Sequence, residues 1–415
     1  MTRLEHFTAA DDERTRTWAR AVPQMYHGAD PDETRLSWLV DSAVADGAML
    51  TGAYEDAPGV DGRIAPVGTF AAVPGTLNLG GAPVTASLIA SVGVRPTHRR
   101  QGLLRRMMEQ SLRSSADAGV PLSILTASEG GIYERFGFGA AVWRGPLRLD
   151  VRSGLRLRAS GRGSVHEVDP HWLMDRAPTV FERFHTRSFG SVSRRAEFLG
   201  DVLFEPTGDR LSALVRAAVH LGENGEVDGF AFYRPSTAWA HSLEILDLIA
   251  LTPDAYLGLW ALLGNTDLVD TLTFDGAVLD EPIRHAVVDP RTAAVTGVHD
   301  SLWVRVLDPV AALGSRRYRG AVAETIVLDI RDDLGHAAGL FEVDVRGGAA
   351  SVRRVEAAAP DVTMDVATLG VLLLGTVTAT ELERSSRLTL AGVAAGERLD
   401  AVFAPTSPPR FYSQF

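Results

Sequence analysis

The sequence predicts an α/β (α+β) chain of three units, two of them built on one plan, and three features carry that prediction. An apolar, β-branched run from Leu88 to Val94 meets Pro96, then a turn with Arg99, Arg100 and Gly102, then a helical stretch. The same strand–Thr–Pro–helix order returns from Leu243 to Leu263 around Thr252-Pro253. Beyond about residue 306 the pattern changes to alternating strands that lead into one strongly apolar helix.

Taken in order, residues 1–150 form the first unit. Asp11 to Met25 reads as a helix capped by Asp11 or Asp12, and Thr34 to Asp46 as a second, with Leu36, Leu39, Val40 and Val44 on one face. Strands are expected at Ala48 to Tyr54, Pro66 to Val73 and Pro83 to Val94. A helix (Leu103 to Ala118), a strand (Pro121 to Ala127) and a short helix (Gly131 to Phe136, ended by Gly137) follow. This order implies a meander followed by one crossover.

Residues 151–305 repeat the order. A helical stretch (Trp172 to Phe204) precedes strands at Ser212 to Leu221, Val227 to Arg234 and Leu243 to Leu251. The helix Ala255 to Leu263 and the strand Leu268 to Phe274 complete the copy. Here Asp254-Ala255-Tyr256-Leu257 stands where the first copy has His98-Arg99-Arg100-Gln101, so the second copy is degenerate: an aspartate repels phosphate. In residues 306–415, strands are expected at Glu324 to Ile330, Leu340 to Val345, Ala350 to Val355 and Asp361 to Asp365, with a helix at Val366 to Leu374. Phe411-Tyr412-Ser413-Gln414-Phe415 is unusually aromatic for a terminal stretch, which predicts a docked tail.

Composition narrows the function. The chain has 415 residues, a formal net charge of −11 and no cysteine. That excludes disulfides, a thiol nucleophile and cysteine-held metals, and fits a reducing cytosol. The acidic balance argues against a nucleic-acid partner and favours a cationic one. The longest greasy run, Val371 to Leu374, is far too short to span a membrane, and Met1 to His6 lacks an apolar signal core; a cytoplasmic location is expected. The histidines show no metal-binding spacing, so no metal is expected, and no serine nucleophile elbow occurs.

A strand that runs into a glycine-containing helix start aims several backbone N–H groups at one point, and the helix dipole makes that point attractive to phosphate. Arg99 and Arg100 add charge where the anion would sit, and the ligand this suits is a pyrophosphate. Val92 to Leu104, together with Ser128-Glu129-Gly130-Gly131-Ile132-Tyr133-Glu134-Arg135-Phe136-Gly137-Phe138-Gly139, resembles the GNAT acyltransferases, and more closely their actinobacterial Eis (enhanced intracellular survival) branch. The general GNAT pattern Gln/Arg-x-x-Gly-x-Gly/Ala is met by Arg99-x-x-Gly102-x-Leu104 except at its last place. The Eis branch carries P-T-H-R-R-x-G-L-L there and S-E-G-G-I-Y-x-R-F-G-[YF]-G later, and this chain has both.

The resemblance implies tandem GNAT folds, the second degenerate, fused to a C-terminal sterol-carrier-protein-like α+β domain, assembled as a homohexamer. It implies acetyl-CoA as cosubstrate in the first fold only, contacted by Val92, Gly93, Val94, Arg99, Arg100, Gln101, Gly102, Leu103, Leu104 and Arg105, with Ser128 and Glu129. The reaction implied is direct N-acetylation of amines on a polycationic small molecule such as an aminoglycoside. Tyr133 lies where the family has its general acid, and the ordinary tyrosine pKa of about 10 keeps it protonated at neutral pH. In the Eis branch the C-terminal carboxylate is the base, here that of Phe415, with a water chain as the competing proton route. An ordinary terminal carboxyl, near ~3.3–3.7, suits that role poorly unless apolar rings around it raise its pKa. Tyr26 and Trp38 are expected on an aromatic acceptor wall, with Asp30, Asp32 or Glu33 to draw an amine, and His98 is expected to cap the turn. The alternatives are transfer of a longer acyl chain or to a protein lysine or N-terminus, and a lipid-binding protein without activity.

Overall fold

In the computed structural model, residues 2–57, 64–204, 212–238 and 240–415 are described. The first unit opens with a strand that the sequence analysis did not anticipate, β1 (Thr2–Thr8). It pairs along its whole length with β2 (Met49–Glu55) at the edge of a sheet. An edge strand tolerates charge, and Arg3 and Glu5 pair on it, which hides it from a search for apolar alternation. Helices α1 (Asp12–Met25) and α2 (Glu33–Ala45) start where Asp11 and Asp32 accept the backbone N–H groups of Arg14 and Arg35. Then come β3 (Gly68–Leu77), β4 (Val84–Val94), α3 (Leu103–Asp117), β5 (Leu122–Leu125) and, after two short 3₁₀ turns, β6 (Gly139–Arg144). Leu103, Met107, Met108 and Leu112 form the buried stripe of α3, and Gly102 (φ 76°) supplies the left-handed residue that opens it.

The second unit takes in β7 (Leu147–Asp150), β8 (Ser164–Val168), α4 (Pro170–Met174), α5 (Ala177–His185) and α6 (Phe198–Leu203). The single helical stretch expected from Trp172 to Phe204 is therefore broken into pieces, and Pro170 and Pro178 lie at helix starts, where a missing N–H costs nothing. Next are β9 (Arg216–Leu221), β10 (Val227–Pro235), β11 (Ser242–Ala250), α7 (Pro253–Gly264), β12 (Thr271–Phe274), α8 (Ile283–Ala286), β13 (Ala293–Val295) and β14 (His299–Val306). The third unit runs α9 (Pro309–Ser315), β15 (Glu324–Arg331), β16 (Gly339–Arg346), β17 (Ala349–Val355), β18 (Val362–Asp365), α10 (Val366–Leu374), α11 (Ala379–Arg384), β19 (Leu388–Leu390) and α12 (Val393–Phe403).

Among the described residues the strands form three sheets, ordered β1-β2-β3-β4-β5-β14-β6, β13-β7-β12-β11-β10-β9-β8 and β17-β16-β15-β18-β19. Two strands depart from the expected boundaries: β7 falls within residues 1–150 but joins the second sheet, and β14, which begins within residues 151–305, joins the first, between β5 and β6. β14 pairs antiparallel with both β5 and β6. No helix of the described residues is long and apolar enough to cross a membrane.

Helix α10 is apolar on every side, and all nine of its residues are buried. Asp365 caps it by accepting the Thr368 N–H at 2.7 Å. Two glycines let its backbone touch the first sheet. A Cβ on Gly370 would lie 2.3 Å from the Val304 carbonyl oxygen, and one on Gly139 would lie 2.0 Å from that of Ala367. The core that results runs unbroken from Phe7 in the first unit to Phe403 and Phe411 in the third. Beside it the Arg305 guanidinium on β14 grips both carboxylate oxygens of Asp332, at 2.8 and 2.7 Å, fully out of water. Gly370→Ala therefore pushes α10 off β14, with an expected cost of about 1–3 kcal/mol. Urea unfolding followed by tryptophan fluorescence checks this as a lowered midpoint.

Candidate active site

The site grows from two parallel strands that stop pairing. β4 and β5 are matched from Ala86↔Leu122 to Ile89↔Leu125. Beyond that point β4 runs on to Val94, and the chain after Leu125 turns away. β4 bends here: its register against β3 slips between Thr69 and Ala71, and Ser91 takes a φ of 53°. The gap opens into a cavity of about 520 Å³ whose wall includes Ser91, Val92, Thr126, Ser128, Tyr133 and Phe415.

Each predicted residue can now be placed. Val92 and Val94 are half-buried on the freed edge of β4. Gly93 is buried because α1 passes over it, and a Cβ there would lie 2.4 Å from that of Met25. The turn that follows holds Arg100 at φ 64° and Gly102 at φ 76°, with open space where a Gly102 Cβ would be. The first-turn amides of α3 have no acceptors within their helix. Arg99, Arg100, Gln101 and Arg105 stand exposed around them, while Leu103 is buried and Leu104 half-buried as anchors of the helix start. This arrangement fits a pyrophosphate. His98 departs from expectation: rather than capping the turn, it faces Glu55, with Nε2 3.1 Å from a carboxylate oxygen.

Tyr133 sits between the two 3₁₀ turns, 6 % exposed, with its ring edge-on to Phe138 at 6.3 Å. Burial, and then the nearby Glu129 charge, raise its pKa above the ordinary tyrosine value, so it stays protonated at neutral pH. Glu129 and Ser128 are exposed beside it. Phe415 arrives from the far end of the chain. Its N–H donates to Thr126 Oγ1 at 3.4 Å, and the Thr126 hydroxyl donates back to an oxygen of the Phe415 terminal carboxylate. Its ring stands edge-on to buried Phe411 at 6.5 Å, so the docked tail is observed.

On the acceptor side, Tyr26 lines the cavity, and its hydroxyl donates to the Val92 carbonyl at 2.8 Å. Trp38 does not line it. The Arg35 guanidinium covers its ring at 4.3 Å, Phe204 packs at 5.5 Å, and α2 thus turns it toward α6. Trp18 of α1 takes the wall position instead, with its indole N–H on the Thr51 carbonyl at 2.9 Å. Asp32 is spent as the α2 cap and Glu33 is bridged by Arg16 and Arg20, so neither is free to draw an amine. Asp30 does reach the wall, and accepts from the Gln24 amide at 2.8 Å.

The charged residues of the far wall were not legible beforehand: Glu197 and Asp201 from the second unit and Asp300 from β14, set among Arg35, Arg144 and Arg195. Burial pushes the Glu197 carboxyl up to about 7, against the lowering pull of its partner Arg195. Asp201 is also raised by burial, although Arg35 stands 2.9 Å away. Asp300 accepts the Trp303 indole N–H at 2.6 Å. These residues come from the start of α6 and from β14, more than sixty residues past Tyr133, and no local pattern marks them.

The second copy holds no such turn. Thr252 caps α7 through the Ala255 N–H, and the Asp254 carboxylate accepts the Arg162 N–H at 3.1 Å. A Cβ on Gly161 would lie 2.2 Å from the Asp254 carbonyl oxygen, so this loop lies across the helix start that an anion would need.

Comparison with known proteins agrees with this geometry. Residues 7–141 and 190–306 each match an acetyltransferase (GNAT) domain model, and residues 309–412 match a sterol carrier protein domain. An uncharacterized N-acetyltransferase of Streptomyces griseus is 33% identical over 406 residues, covering 93% of this chain and 94% of that one. The N-acetyltransferase Eis of Mycobacterium bovis is 34% identical over 354 residues, covering 83% of each. The crystal structure of Eis1 from Mycobacterium abscessus superposes over 100% of both chains with a TM-score of 0.81 at 28% identity. The chain belongs to the Eis family of GNAT N-acetyltransferases, acyltransferases with two GNAT domains followed by a sterol-carrier-protein-like domain.

Proposed function

We propose that this protein transfers the acetyl group of acetyl-CoA directly to a primary amine of a polycationic small molecule, aminoglycosides among them. One observation carries the reading: the freed edge of β4, the Tyr133 side chain and the Phe415 terminus all line a single cavity. In that arrangement the Val92 to Val94 edge aligns the arm of the cosubstrate and offers an N–H to the thioester oxygen. Arg99, Arg100 and the amides from Gln101 to Leu104 hold its pyrophosphate, with Arg105, Ser128 and Glu129 flanking. Acetyl-CoA supplies the activated acetyl group.

The amine nitrogen forms the new C–N bond as the C–S bond breaks. Tyr133 gives its proton to the departing thiolate, and the Phe415 carboxylate takes the proton lost by the amine. Thr126 fixes that terminus by accepting from its N–H and donating to one oxygen of the carboxylate itself. Holding both reactants in line supplies much of the acceleration, up to ~7–11 kcal/mol. Asp30, Glu197, Asp201 and Asp300 supply carboxylates to the acceptor's ammonium groups on a wall they share with Arg35, Arg144 and Arg195, of which Arg195 pairs with Glu197 and Arg35 with Asp201.

Tyr133→Phe is expected to lower kcat by about 10²-fold or more while leaving the acetyl-CoA KM nearly unchanged, as read by release of free thiol with kanamycin as acceptor. Equal activity removes Tyr133 from the reaction. One glycine added after Phe415 moves the carboxylate away and is expected to depress kcat by a similar factor; a fully active extended chain assigns the proton to water instead. Glu197 binds its proton below about 7 and is an anion above it, so the acceptor KM should fall as pH rises through that value. Glu197→Gln should remove that component, and KM profiles of the two proteins that superpose would exclude Glu197 from acceptor binding.

A further inference from the structure

The second sheet parts just as the first does. β11 and β12 pair in parallel from Ser242↔Thr271 to Glu244↔Thr273, and β11 then runs on to Ala250. It also bends as β4 does: its register against β10 slips at Leu246, between Ile245 and Asp247. The residue three past the last pair is Val92 in β4 and Asp247 in β11. In the first sheet the gap opens into the cavity.

In the second sheet the gap receives the chain's own tail. The Tyr412 ring lies parallel to Phe274, the last residue of β12, with centroids 6.2 Å apart and planes 14° apart, and it leans on Phe184 at 5.8 Å. Its hydroxyl donates to Glu281 Oε2 at 2.8 Å, and Glu281 Oε1 accepts the Tyr256 hydroxyl at 2.8 Å. The Tyr412 carbonyl oxygen accepts from Arg194 at 3.3 Å, and Arg194 is itself gripped by both carboxylate oxygens of Asp247 at 2.7 Å. Glu281 is 1 % exposed, so this is a buried, built contact rather than a surface one. After Tyr412, the Ser413 hydroxyl donates to the Val192 carbonyl at 3.0 Å, and Phe415 reaches Thr126, the residue that follows β5. Tyr412 thus meets the end of β12 and Phe415 the end of β5. Those strands are counterparts in the two sheets, joined here by a tail span of at most ~11 Å.

We propose that the parted strands of the second unit form a socket for Tyr412, and that Tyr412, Glu281 and Arg194 are positioning residues that set the Phe415 carboxylate in the cleft of the first unit. This rests on the reading of Phe415 as the base. A chain end frays unless tied, and a proton acceptor displaced by about 1 Å can cost a 10²-fold loss of rate. The socket removes that freedom three residues before the reacting group. The degenerate copy thereby acts on the tail, having given up the coenzyme.

The test compares Tyr412→Phe, which keeps the ring and removes only the hydroxyl, and Glu281→Gln with the chain carrying one added glycine. Both substitutions are expected to lower kcat between about 10- and 100-fold with the acetyl-CoA KM held within about twofold, measured on folded protein. Tyr412→Phe placed in the extended chain should cost nothing more, because both changes act through one group. Carboxypeptidase Y acting on the native protein should release Phe415 faster from Tyr412→Phe than from the parent. A Tyr412→Phe kcat equal to the parent's, while the glycine extension is inactive, overturns the socket and leaves the base reading standing. A fully active extension overturns the base reading, and release of Phe415 no faster from Tyr412→Phe than from the parent then overturns the socket as well.

Discussion

A parallel ladder that stops partway down a sheet leaves one strand with a row of N–H and C=O groups facing a gap, and such groups must find partners or water. That constraint organises this molecule. β4 loses β5 after Ile89, and what surrounds the gap is a set of answers to the vacancy: the Tyr26 hydroxyl on the Val92 carbonyl, the cavity beside it, and the tail fastened to Thr126. β11 loses β12 after Glu244, and there the answer is internal, with Arg194 bridging Asp247 to the Tyr412 carbonyl. Duplication copied the problem, and divergence let each copy solve it differently.

The third unit is what makes the internal answer possible. Its helix α10 is pressed backbone to backbone against β6 and β14 through two glycines, a contact that buries apolar surface on every side of the helix. The buried Arg305–Asp332 pair adds little net stability once desolvation is counted, but it ties β14 to the third unit through a contact that is costly to break from one side. Arg316 shows the same logic without an acid: its buried guanidinium donates to the carbonyls of Leu373, Val402 and Phe403, which pins α12 to α10 just before the tail departs. The tail therefore leaves from a fixed point and enters a fixed cleft.

What the sequence made legible was what it encodes locally. The turn from Arg99 to Leu104 and the loop around Tyr133 are contiguous, so their place in the fold could be read from them directly, while the roles expected of them came from the resemblance they carry. The cap of α1 was visible for the same reason, to within one residue, and is Asp11. Trp38 was misplaced because periodicity gives the faces of α2 but not its rotation against a neighbour, and α6 claimed that face. β1 escaped because an edge strand needs no apolar alternation. Glu197, Asp201 and Asp300 escaped because they share a wall only by the meeting of two distant segments, the start of α6 and β14, and nothing in either segment records that meeting. The displaced strand β14 belongs to the same class.

That displacement has a consequence for how the chain comes into being. β14 sits between β5 and β6, next to the edge of the first sheet, yet every strand of the second sheet is encoded before it. On a ribosome delivering about 5–20 residues per second, the first sheet waits with β6 unjoined to β5 until residue 306 has emerged. An amino-terminal half made alone would expose two unpaired edges and an apolar floor, an aggregation hazard rather than a small enzyme. The boundaries that divide this chain into families are therefore not the boundaries along which it folds.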